Sequence, residues 1–146
     1  MDRVPAPPAD ARLQSKVFNV GRITVKQDRI VFEVQVSNLS YRYTNTHLIE
    51  KVCTQLPHLF AHTCKNSQGP TFAAVMKHTS LPHLLEHMII ELQAKNAADT
   101  TELYVGTSEW VDEQAGLARI EVSFADDLDA LRAFHSAIAI IDWAMI

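Results

Sequence analysis

Cysteine is scarce in this chain. Two residues, Cys53 and Cys64, are too few for a disulfide-built scaffold, and without an export signal they read as reduced, half-buried thiols. Positive charge is not in excess either. Lys and Arg number 13 against 17 Asp and Glu, a net charge of −4, which argues against a broad nucleic-acid-binding face. No apolar run approaches the ~20 residues of a membrane span. The opening MDRVPAPPADAR has no apolar signal core, so the chain reads as cytoplasmic and not membrane-bound. No G-x-x-x-x-G-K-[ST] phosphate loop occurs. The 146 residues, 47% of them hydrophobic and 21% charged, suit one globular domain.

Residues 1–14 are rich in Pro, Ala and Asp with no apolar period, and are expected to be a disordered tail before a single domain over 15–146. Alternation then begins. Ile23 and Val25 share a face, as do Phe32, Val34 and Val36, which predicts a β-hairpin turning at Gln27, Asp28 and Arg29. Thr46 is placed to cap a helix carrying Leu48, Ile49, Val52, Cys53 and Leu56, kinked at Pro57 and continuing through Leu59 and Phe60. A loop over 66–70 and a short helix over 72–76 follow. Ser80 then precedes Leu81 and Pro82, a helix start that runs to about Lys95. Leu103 and Val105 share a face in one further strand; Ile120, Val122 and Phe124 share one in another. A polar stretch over 107–115 is expected to join them. A last helix from about Asp127 to Trp143 carries Leu128, Leu131, Phe134, Ile138 and Ile141 on one side. The order ββααα-ββα predicts an α+β fold, a mainly antiparallel sheet packed with helices.

The chemistry gathers on the helix TSLPHLLEHMIIELQAK. At 100° per residue Leu85, Met88, Ile89 and Leu92 form a core-facing stripe, and His83, Glu86, His87 and Glu91 fall on the other side. His83 and His87 are one turn apart, about 5–6 Å between Cβ atoms, close enough for two imidazoles to meet at one zinc ion. Glu86 stands where a carboxylate reaches a water without being a ligand. This is the H-x-x-E-H arrangement, with Glu86 the candidate catalytic residue and Zn2+ the expected cofactor. A hydrolytic zinc generally takes three protein ligands. Glu91 and Asp127 are the candidates for the third, and Glu121 and Ser123 rank lower. The alternative for the whole set is a solvated helix face. His62, Cys64 and His135 read as packing residues. Trp110 and Tyr104 suit either stacking on a guanidinium group or ordinary sheet positions.

Three stretches resemble the N-terminal domain of cyanophycin synthetase: LPHLFAHTC with the Gly69-Pro70 loop and FAAVMKHT; LPHLLEHMIIELQ; and VGTSEW through GLARIEVSFADD. The resemblance implies a fold similar to the insulinase-type peptidases and S-ribosylhomocysteinase. It identifies His83 and His87 with the family's metal histidines and Glu86 with its catalytic glutamate. It also aligns Glu91 with the glutamate of E-L-Q, and Asp127 with a position where relatives carry a glutamate. The expected partner is cyanophycin or a similar polypeptide, with a homo-oligomer or a separate ligase partner left open. The two ligase domains of the full synthetase have no room in 146 residues. Relatives place an arginine where this chain has Thr107 and a glutamate where it has Ser123, so two charges suited to gripping such a polymer are missing. A small zinc-dependent amide hydrolase and a non-catalytic binding module are therefore the two functional expectations. A fragment of an insulinase-type peptidase is a third, disfavoured because the chain is too short to enclose a substrate.

Overall fold

The computed structural model describes residues 15–62, 71–96 and 103–145. The expected tail, Cys64 and the loop over 66–70 fall outside them. Strands β1 (Phe18–Val25) and β2 (Arg29–Val36) form the expected hairpin, closed by Lys26 N–H donating to the Arg29 carbonyl at 2.8 Å. Helix α1 (Thr46–Gln55) follows, then α2 (Leu81–Asn96), strands β3 (Gly106–Asp112) and β4 (Leu117–Ser123), and helix α3 (Asp127–Ala144). All four strands run antiparallel in the order β1-β2-β4-β3. The fold is α+β.

The core lies between one face of the sheet and the helices. Ile30, Phe32, Val34 and Val36 point from β2 into it, and Ala118, Ile120 and Val122 from β4. Phe32 stacks on Phe134 of α3 with ring centroids 4.0 Å apart. Helices α2 and α3 pack side by side, α2 against β3 and β4. Among the described residues no helix is long and apolar enough to cross a membrane.

Several local expectations are corrected. The cap of α1 is Asn45, whose side chain accepts from Leu48 N–H; its extended backbone suits a cap, and Thr46 is already helical. That helix ends at Gln55. Leu59–Ala61 and Phe72–Ala74 are single 3-10 turns rather than continued or separate α-helices. Ile23 and Val25 do share a face, opposite Phe32 and Ile30 across the bulge between Val20 and Ile23, and are exposed on edge strand β1. Leu103 and Val105 precede the strand and are exposed, whereas the stretch expected to be a linker contains β3 itself. The turn to β4 closes at Gly116, where a φ of +71° and the close approach of Val36 Cγ2 exclude a side chain. Leu128 is 56% exposed, because it lies on the side of α3 opposite the buried Ala130, Ala137 and Ile141.

Candidate metal centre

Helix α2 begins where Ser80 accepts from His83 N–H at 3.2 Å and where Leu81 N–H donates to the Arg42 carbonyl at 2.8 Å. These bonds fix the first turn and therefore the direction of His83. The polar face of α2 is not solvated. Glu86 is 6% exposed and His87 3%. Two pieces of structure cover them: Phe72 on one side and the start of β3 on the other. Phe72 lies flat on His87, ring centroids 4.1 Å apart at 18°, and meets His83 edge-on at 5.0 Å. Gly106 of β3 presses on Glu86; a Cβ there would stand 3.1 Å from Glu86 Cγ and 2.9 Å from the Glu121 carbonyl oxygen.

His83 and His87 bring their Nε2 atoms to 3.1 Å of each other. Two nitrogens each about 2.0–2.1 Å from one tetrahedral ion stand roughly 3.3 Å apart. The pair is thus already spaced for a shared ion. One ligand atom each from His83, Glu86 and His87 lies within 4.8 Å of the other two, a cluster capable of coordinating a metal ion. The two imidazoles are donors that zinc accepts, and the Glu86 carboxylate stands beside them.

Burial tunes all three groups. It pushes the Glu86 carboxyl up to about 7, opposed by a hydrogen bond from Ser108. Burial, and then the neighbouring His83 and His62, lower His87 to about 3. Burial also lowers His83. Both histidines are therefore held as neutral imidazoles, the form that binds metals.

Glu91 and Asp127 do not join the converging trio. Glu91, one turn past His87, accepts from His62 Nε2 at 2.8 Å. Asp127 opens α3, beside Asp126, which caps that helix through Leu128 and Asp129 N–H. Glu121 pairs with Arg29 at 2.9 Å, and Ser123 Oγ accepts from Val105 N–H. His135 is exposed on α3 rather than packed.

Three participants are not legible from spacing. His62, expected to be a packing residue, touches His87 Nδ1 to Nδ1 at 3.0 Å. Phe72 forms the lid over the histidines. Ser108 belongs to the stretch expected to be a linker. The one signal that points to His62 is its H-x-C pairing with Cys64, which does not tie it to α2.

The cluster opens into a cleft of about 740 Å³ bordered by Ser80, Ile90, Leu103, Tyr104 and Thr107. Trp110 continues the inward row of β3 beyond Ser108 and meets Tyr43 edge-on at 6.3 Å, while His78 stacks on Tyr43 at 5.7 Å. A family model described as cyanophycin synthase-like N-terminal domain matches residues 29–145. No curated protein gives a significant match to the chain.

Proposed function

This chain belongs to the cyanophycin synthase-like N-terminal domain family, and from that premise we propose that it is a small zinc-dependent amide hydrolase acting on cyanophycin or a similar polypeptide. The observation that carries the proposal is the 3.1 Å approach of the His83 and His87 Nε2 atoms beside a buried Glu86. His83 and His87 would hold the ion. When bound, zinc supplies Lewis acidity toward an amide carbonyl and water. Glu86 handles protons. With its carboxyl pushed up to about 7, its Oε atoms take a proton from the attacking water and return it to the departing amide nitrogen. Ser108 holds that carboxylate in place, and Phe72 keeps water from the far faces of the rings. To serve as a third ligand, Glu91 or Asp127 would have to turn toward the ion from its present position. The family also supports an overall likeness to the insulinase and S-ribosylhomocysteinase folds, and a cytoplasmic setting alongside its polymer.

A second reading is a non-catalytic polypeptide-binding module. It is favoured by Thr107, an uncharged residue at the cleft, and by Ser123, whose hydroxyl is engaged by Val105 N–H within the chain. Metal analysis and digestion separate the two. The hydrolase should hold about one zinc per chain, lose it in the His83→Ala, His87→Ala double variant, and cut cyanophycin in the wild type but not in Glu86→Gln. Full zinc occupancy with intact polymer in both wild type and Glu86→Gln would leave the binding module.

A further inference from the structure

Thr79, His83, His87, His62 and Glu91 form one unbroken line of contacts. Thr79 Oγ1 lies 2.9 Å from His83 Nδ1, and His83 Nε2 lies 3.1 Å from His87 Nε2. His87 Nδ1 lies 3.0 Å from His62 Nδ1, and His62 Nε2 lies 2.8 Å from Glu91 Oε1. A neutral imidazole donates through one ring nitrogen and accepts through the other, and an ionised carboxylate only accepts. The direction of the whole line is therefore set at its Glu91 end. His62 gives its Nε2 proton to Glu91, so its Nδ1 must accept. His87 must then carry its proton on Nδ1. Its Nε2 is left with a lone pair facing His83.

The geometry points to Glu91 and His62 as positioning residues that fix His87 in the tautomer a metal needs, Glu91 acting through His62 and not as a ligand. The inference rests on the proposed metal site for its purpose, but the tautomer itself exists without a metal. In the metal-free chain, His83 completes the line by donating Nε2–H to His87 Nε2 and accepting from the Thr79 hydroxyl. Of the two histidines, only His83 would then have to change for a metal to bind. The His83 proton moves to Nδ1, where the Thr79 oxygen accepts it as the hydroxyl rotates. His87 is ready beforehand. Backbone bonds hold His62 in this position. Its N–H donates to the Leu59 carbonyl at 3.1 Å, and its carbonyl accepts from Phe72 N–H at 2.7 Å. The same backbone link joins the relay to the lid that covers His87.

Two readings of the full chain test the relay. Long-range 1H–15N spectra of metal-free protein at pH 8 report which nitrogen of each ring is protonated. Protonated Nδ1 on His87 and Nε2 on His62 are expected, with the His87 preference lost in Glu91→Leu. A His87 ring protonated on Nε2 in the wild type, or one unaffected by Glu91→Leu, would overturn the relay. Zinc titration gives the second reading. Outer partners of metal-bound histidines typically contribute about 10–100-fold in affinity. His62→Phe, which fills the space without an acceptor, should lose that much, and His62→Gln, whose amide offers both an acceptor and a donor, should recover most of it. Zinc affinity equal to wild type in His62→Phe also overturns the relay. Should the wild type bind no zinc at all, the metal reading fails, and the ring states still decide the relay.

Discussion

Phe72 and His87 lie face to face, centroids 4.1 Å apart, although one belongs to a 3-10 turn and the other to helix α2. This contact makes His87 an interior residue. Removing the ring in Phe72→Ala should cost about 3–5 kcal/mol at pH 7.5, read by denaturant unfolding. His87 is held near 3 in the folded chain, below its ordinary 6.5. Its contribution to stability is therefore fully present above 6.5 and lost as pH falls toward 3. Phe72→Ala lets the folded chain protonate His87, so the gap from wild type should narrow between pH 7.5 and pH 4.5. A gap that is constant or wider at pH 4.5 would contradict burial by Phe72 as the cause.

Glu86 has the opposite sign. Its carboxyl is raised from 4.5 to about 7, so the folded chain binds the proton more tightly than the unfolded chain. That stability is present below 4.5 and lost as pH rises through 7. Glu86→Gln, which keeps the shape and removes the charge, should stabilise the metal-free protein by about 3 kcal/mol at pH 8 and hardly at all at pH 4. Melting curves of both proteins across this range check it.

Gly106 is fixed by what surrounds it. A Cβ would stand 2.9 Å from the Glu121 carbonyl oxygen, a backbone atom with little freedom to retreat, and 3.1 Å from Glu86 Cγ. Gly106→Ala should cost about 1–3 kcal/mol and lower any activity that depends on Glu86 beyond the loss of folded protein. Thermal unfolding alongside a digestion assay separates the two effects.

Zinc should stabilise the folded chain because His83 and His87 converge only there. At a free concentration one hundred times Kd the gain is about 2.7 kcal/mol, seen as a rise in Tm. The rise should vanish in the His83→Ala, His87→Ala double variant and persist in Glu86→Gln. Since burial lowers both histidines, affinity should fall little between pH 7.5 and pH 6, where ordinary histidines at 6.5 already lose most of their neutral form.

Local side-chain order alone specifies the hairpin, the long helices and the i, i+4 placement of His83 and His87, because periods of 2.0 and 3.6 residues are written in it. It also carries Glu86 to the right side of α2. Strand β3 is not legible in that way: of its inward row of Gly106, Ser108 and Trp110, the first two border the cleft beside Glu86, so the strand lacks the apolar alternation that marks a core strand. His62, Phe72 and the tie between His62 and Glu91 come from packing between distant segments. Those segments have a spacing of their own that says nothing about α2, and only the folded arrangement sets an aromatic ring over His87 and a second imidazole against its Nδ1. Burial follows from that packing, and with it the neutral histidines and the raised glutamate on which the chemistry of the site depends.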